Sequence, residues 1–217
     1  MALVLYGHPF SSYTQKVLVA LYEHDLAFGW RVLDGPEAFA ELAGLWPIGL
    51  MPALRDGDRT IVESSIIVEH LDLHHGRGAR LLPADPRAAL QVRFLDRFFD
   101  LYVMAPMQKL VGDRLRPEAE RDARGVAEAR ARLDKAYGWL ESELARRTWA
   151  ASGTFGLADC AAAPALFYAD WAHPIGEALT TLRAYRARLL QRPSFARAVD
   201  EARPFRAFFP LGAPDRD

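Results

Sequence analysis

A chain of 217 residues allows one large domain or two small ones. Half of it is hydrophobic, so a sizeable core is available, and 27 Lys and Arg nearly cancel 28 Asp and Glu. That balance offers nothing to attract nucleic acid or an anionic membrane, and no apolar run approaches the ~20 residues of a membrane-spanning helix.

The first residues, Met1 to Tyr6, are apolar but lack a basic start and run straight into Gly7-His8-Pro9. They read as a strand over Ala2–Tyr6, not as a signal peptide. Ser12–His24 follows, with Val17, Ala20, Leu21 and His24 at helical spacing. Phe28–Leu33 reads as a second strand, and a strand–helix–strand order implies parallel pairing. Pro36–Leu45 is a short helix or an irregular segment. Ala53–Arg55 and Thr60–Glu63 flank Asp56-Gly57-Asp58, a hairpin signal. Ser64–His75 then carries Ile66, Ile67, Leu71 and Leu73 on one broad apolar face.

Gly76, Gly78, Pro83 and Pro86 cluster as a linker should. Beyond them strand patterns vanish. Ala88–Gly112 carries Phe94, Phe98, Leu101 and Tyr102 at helical steps, and Glu118–Arg147 carries a stripe of Val126, Ala129, Leu133, Tyr137, Leu140 and Leu144. Further helices are expected over Leu157–Ala169, Ala178–Leu190 and Ser194–Ala202. Pro106 and Pro164 fall inside two helices and should kink or break them. The division is therefore a mixed domain over residues 1–80, a linker over 81–86 and an all-helical domain over 87–217. Cys160 is the lone cysteine, which rules out a disulfide within the chain and makes a reducing cytoplasm the expected home. In its alanine-rich surroundings it reads as a small buried hydrophobe.

Four motifs in order carry a resemblance: Met51-Pro52 before the hairpin, Glu63-Ser64-Ser65 opening a helix, "GLADCAAAPALF" (Gly156–Phe167) and "RPSFARAVDEA" (Arg192–Ala202). Together they resemble the cytosolic glutathione transferases over nearly the whole chain. The resemblance implies a thioredoxin-like N-terminal domain, βαβ then ββα with a four-stranded mixed sheet, followed by an all-α bundle. It implies that Pro52 is cis and that the backbone of Met51 pairs with the cysteinyl backbone of glutathione, as in β-strand addition. Ser64, at a helix N-terminus, would meet the γ-glutamyl carboxylate, and Glu63 the ligand's ammonium; a plain helix cap is the alternative reading. Ser11 matches the catalytic serine of the serine-type theta and zeta classes, with Ser12 next. A hydroxyl donating to the glutathione sulfur favours the thiolate, which is the nucleophile. The implied activity is attack of that sulfur on a small hydrophobic electrophile, with glutathione as co-substrate, no metal, and a homodimer as the assembly.

Three features depart from the pattern. Leu50 stands where many relatives carry a Lys or Gln that holds the glycine carboxylate, and Trp46 where Asn is common, so glutathione is held weakly, another cation substitutes, or the ligand differs. Gly156 replaces a Ser or Thr before Asp159, with Phe155 and Cys160 placed as a hydrophobic staple. Tyr13 and Lys16 stand where zeta-type isomerases have a Cys after the serine pair and an Arg further on. A catalytically idle relative and a glutathione-dependent isomerase or peroxidase are the other readings. The electrophile is expected between the domains, against Phe10, Tyr102 and Met104, with Phe205, Phe208 and Phe209 of the tail nearby. His70 and His74 sit four apart and can in principle hold zinc, but the sequence offers no evident third ligand.

Overall fold

The order of elements answers to the sequence. The computed structural model describes residues 3–151 and 153–217, so Ala2, the first residue of the expected opening strand, lies outside it. β1 (Leu3–Gly7), α1 (Ser12–Glu23), β2 (Phe28–Val32), α2 (Pro36–Leu45), β3 (Ala53–Asp56), β4 (Arg59–Val62) and α3 (Ser64–His74) make the first half. The strands pair in the order β2-β1-β3-β4. β1 and β2 are parallel, whereas β3 runs antiparallel to both β1 and β4. This is the thioredoxin-like mixed sheet. Gly57 takes the left-handed conformation, φ 59°, that the two-residue turn between β3 and β4 requires.

The second half is helical: α4 (Pro86–Phe98), α5 (Ala105–Arg114), α6 (Ala123–Glu143), α7 (Leu157–Ala172), α8 (Thr180–Leu190) and α9 (Pro193–Ala202). α7 is its axis, buried at all but its last residue, and packs against α1 and α4, while α9 also meets α1. One continuous core joins the halves, from Leu5 and Leu18 through Phe99 to Tyr137 and Leu166. Among the described residues no helix is long and apolar enough to cross a membrane.

The prolines act differently from one another. Pro164 sits inside α7 without ending it. Pro106 lies in the first turn of α5, and the chain reaches it through a π-helical turn over Phe99–Met104, with Ala105 N–H bonded back to Asp100 O. A proline cannot donate to the fourth residue before it, and a wide turn ahead of it accommodates the break. The expected single helix over Ala88–Gly112 is therefore two, out of phase. Similarly, Pro117 is followed by a short 3-10 turn over Glu118–Glu120, so α6 starts only where Asp122 caps it, accepting from Gly125 N at 2.8 Å.

Gly156 has a steric reason. A Cβ there would stand 2.8 Å from the Leu81 carbonyl oxygen, which already accepts the Leu157 N–H at 2.9 Å. The linker lies so close that a Ser or Thr does not fit. Asp159 supplies the reciprocal half of the cap by accepting from Gly156 N at 2.9 Å, and it also accepts from Ala150 N and Tyr185 Oη at 2.8 and 2.6 Å. Cys160 is fully buried, and burial pushes its thiol well above the ordinary range.

Candidate active site

The cleft beside the end of β1 holds two adjoining chambers. The smaller, about 220 Å³, is lined by Trp46, Met51, Pro52, Glu63 and Ser64 from the first half and by Arg97, Asp100, Leu101 and Ala105 from the second. The larger, about 460 Å³, is lined by Phe10, Ser11, Ser12, Met107, Gln108 and Val111, closed by Tyr168 and the tail residues Phe208 and Phe209. Tyr13, Leu50 and Met51 line both, so the two share a wall.

Backbone geometry shapes the smaller chamber. The Met51–Pro52 peptide is cis, and β3 begins at the next residue, Ala53, paired with both Tyr6 and Val62. Glu63 holds a left-handed φ of 68°, uncommon for a side chain-bearing residue, and precedes α3 as its cap without any side-chain capping bond. Ser64 is buried in the chamber wall, 6% exposed. Ser65 serves elsewhere: its hydroxyl accepts from Lys16 Nζ at 2.8 Å and donates to Asp100 at 3.4 Å. The Glu63 and Ser64 side chains are thus not spent on capping, and the helix N-terminus opens onto the chamber.

Beneath lies a buried ionic cluster that sequence reading missed. Lys16, 1% exposed, places Nζ 2.9 Å from Asp100 Oδ2 and 2.6 Å from Asp96 Oδ1. Arg97 adds a contact of 3.3 Å to Asp100. Burial pushes the Asp96 carboxyl up, with Lys16 opposing. The cluster links α1 to α4 and to the π turn. Its signal in the sequence was a lysine among the apolar residues of α1, which had no visible partner until the fold brought Asp96 and Asp100 to it.

Ser11 caps α1, its hydroxyl oxygen accepting from Thr14 N at a long 3.4 Å. Among the described residues nothing accepts a hydrogen bond from it. Ser12 is 3% exposed, and its hydroxyl accepts from Gln108 at 3.4 Å. Both line the larger chamber only. Tyr13 is the serine-loop residue that borders both chambers. Burial, helped by Asp100 and Glu63 and opposed by Arg97, pushes its phenol up to about 12. It stays protonated at neutral pH, able to donate but not to act as a base.

Of the expected electrophile contacts, Phe10 lines the larger chamber. Tyr102 and Met104 do not line either chamber, and this corrects the sequence reading. Tyr102 is 52% exposed and packs on Phe98, their ring centroids 5.1 Å apart; Met104 is buried in the core. The reason is the π turn, which changes the helical phase ahead of Pro106 and presents Leu101 and Ala105 to the cleft instead. In the tail, Phe208 stands exposed at the rim and Phe209 packs beneath it against Trp171, while Phe205 meets His8 edge-on at 4.6 Å.

Comparison with known proteins bears on this arrangement. The family model "Glutathione S-transferase, N-terminal domain" matches residues 5–79, and "Glutathione S-transferase, C-terminal domain" matches residues 122–188. Glutathione S-transferase GstB of Escherichia coli is 26% identical over 203 residues, covering 91% of this chain and 97% of that protein. A probable maleylacetoacetate isomerase of Vibrio cholerae is 28% identical over 215 residues, covering 94% and 98%. Among solved structures, a glutathione S-transferase from Methylobacillus flagellatus with glutathione bound superposes with a TM-score of 0.82 at 26% identity, over 91% of this chain and 98% of that one. With both domain types matched in order and the fold shared end to end, the chain belongs to the cytosolic glutathione S-transferase superfamily.

Proposed function

We propose that this glutathione transferase is of the serine type, with Ser11 donating its hydroxyl hydrogen bond to the glutathione sulfur. The observation that carries the reading is the adjacency of the chambers, which share Tyr13, Leu50 and Met51. A tripeptide in the smaller one, paired with the Met51 backbone and with Glu63 and Ser64, would send its thiol towards the wall where Ser11, Tyr13 and the N-terminus of α1 meet. A charge-assisted hydrogen bond is worth ~1.5–3 kcal/mol and a helix N-terminus ~0.3–1 kcal/mol. Together they would lower a thiol pKa by roughly 1.5 to 3, enough to make thiolate the main species at neutral pH. The apolar lining of the larger chamber suits a small hydrophobic electrophile. Arg97 is the cation that offsets Leu50, pairing with one of the tripeptide's carboxylates.

The exposed rings of Phe94, Tyr102 and Trp139 all pack on Phe98 and form one aromatic patch on α4, the π turn and α6. We assign it to a homodimer contact, checked by light scattering at micromolar protein, where a monomer would contradict it. A cytoplasmic location accords with the free, buried Cys160. The isomerase reading is disfavoured because Lys16, held between two carboxylates, is not free to meet a substrate.

The test is the ultraviolet difference absorbance of bound thiolate against pH, for wild type, Ser11→Ala and Tyr13→Phe. Wild type should show a transition well below that of the free thiol, lost in Ser11→Ala, whose kcat/KM falls by about a hundredfold. Full activity in Ser11→Ala with loss in Tyr13→Phe would transfer the role to Tyr13. Absence of thiolate at millimolar glutathione would reject the assignment of the smaller chamber and favour an idle binding protein.

A further inference from the structure

The strand and helix that meet the smaller chamber at their near ends, β3 and α3, carry a second group of chemistry-bearing residues at their far ends. Asp56 closes β3, His70 lies on α3, and His75 caps the end of that helix with its N–H bonded to Leu71 O at 2.9 Å. His70 Nε2 and His75 Nε2 both approach Asp56 Oδ2, at 2.9 and 2.7 Å. All three ligand-type atoms lie within 4.8 Å of one another. From this convergence we propose that Asp56, His70 and His75 form a binding site for a first-row divalent cation, with Zn²⁺ as the fitting ion.

The donor set is chemically suitable. Two imidazoles and a carboxylate are borderline ligands of the kind Zn²⁺ takes, and a fourth place is left for water or a further residue. In a tetrahedral site with bonds of ~2.0–2.1 Å, neighbouring ligand atoms stand roughly 3.4 Å apart. The two nitrogen–oxygen edges are somewhat shorter than this and the nitrogen–nitrogen separation is at most 4.8 Å, so imidazole shifts of about an ångström suffice. On binding, each nitrogen must present its lone pair to the metal. The proton it now shares with Asp56 moves to Nδ1 or leaves for solvent, and the cation replaces it as the carboxylate's partner.

The arrangement also differs from an ordinary ion pair. Two histidines share one oxygen, and among the described residues no lysine or arginine pairs with Asp56. Side-chain exposures of 7% for His70, 14% for Asp56 and 27% for His75 leave the group partly accessible, most of all at His75. The ring of the exposed His74 lies 4.7 Å from that of His70. All three ligands stand on or directly after regular elements, so the metal would brace β3 against α3 without touching the catalytic cleft.

The experiment is calorimetric titration of tag-free, chelator-stripped full-length protein with Zn²⁺, alongside thermal unfolding with and without the ion. The expected result is one equivalent bound, a raised melting temperature by mass action, and unchanged glutathione conjugation. Asp56→Asn and His75→Gln should each weaken binding by about tenfold or more. His75→Gln, at the most exposed of the three positions, keeps the test informative if Asp56→Asn fails to fold. Absence of saturable binding at high micromolar Zn²⁺, or binding that survives His75→Gln unchanged in folded protein, would overturn the site.

Discussion

The smaller chamber is bounded by the cis Met51–Pro52 peptide, the start of α3, Arg97 and Asp100, with Tyr13, Trp46 and Leu101 completing the wall. The larger is walled by side chains from three distant stretches: the loop at Phe10, α5 at Met107 and Val111, and the tail at Phe208 and Phe209. Backbone groups change little with substitution, so a chamber made from them suits a ligand that never changes. Side chains are replaced one by one, so a chamber made from them suits a partner that differs between relatives. On the proposed reading, the first is a mould for the common co-substrate and the second an adjustable pocket for the electrophile.

The largest effect should come from the support beneath the mould. Asp100→Ala would leave Lys16 with Asp96 and the Ser65 hydroxyl, a buried cation short of one carboxylate, at a cost of about 3 kcal/mol in stability. Urea unfolding measures this. Leu115→Ala, at an exposed position of the larger chamber, should stay within about 0.5 kcal/mol of wild type. Equal losses in both variants would end the distinction between a supported mould and a pocket. Next in size, Arg97→Ala should raise the glutathione dissociation constant about ten- to hundredfold, the worth of one charge-assisted hydrogen bond, with the electrophile KM unchanged. Leu50→Lys should move affinity the other way. An unaltered dissociation constant in Arg97→Ala would leave the ligand carboxylate to another group.

The same contrast explains what was legible in the sequence. The part of the mould that the first half supplies is short-range: Met51-Pro52, the Asp56-Gly57 turn and Glu63-Ser64 lie within fourteen residues, and their order is enough to recognise the unit. Strands and helices of the first half are legible for the same reason, through alternation and helical spacing. The pocket depends on helical phase far along the chain. A π turn before Pro106 rotates Tyr102 outward and Met104 into the core, and no periodicity count anticipates it. The Lys16 cluster and the meeting of Asp56 with His70 and His75 are likewise products of tertiary contact. In each, the sequence displays one half of a pair and the fold supplies the other. Gly156 was readable as a tolerable cap, but its cause, the Leu81 carbonyl at 2.8 Å from where a Cβ would stand, lies 75 residues away.

A smaller effect should mark the pocket itself. Phe208 is 66% exposed at the rim, so Phe208→Ala removes only part of the ~1.5–3 kcal/mol that full burial of a phenylalanine carries. The KM for an apolar electrophile should rise about three- to tenfold, and that for glutathione should stay within about twofold. Steady-state kinetics with each substrate varied separately decides it, and a matching rise in both constants would mean that the tail closes over the two chambers as one.

The smallest effect on the kinetics should come from a contact that serves neither chamber, between α1 and α9. Glu23 receives Arg192 Nε and Nη2 at 2.8 and 2.6 Å and the Ser194 hydroxyl at 2.5 Å. Burial pushes the Glu23 carboxyl up, but these hydrogen bonds outweigh it and hold the group below its usual 4.5. A carboxylate with a folded pKa below its unfolded one contributes stability that is present above the unfolded value and is lost as pH falls through the folded one. Glu23→Gln should therefore unfold at lower urea than wild type at pH 7, by about 1–2 kcal/mol, and the gap should close as pH falls below about 4.5. The kinetic constants for glutathione and the electrophile should not move. A gap independent of pH would show that shape and packing hold α9 to α1, not the ionised carboxylate. A shift in glutathione KM would show that the spacing of the two halves reaches the mould, which its backbone construction should resist.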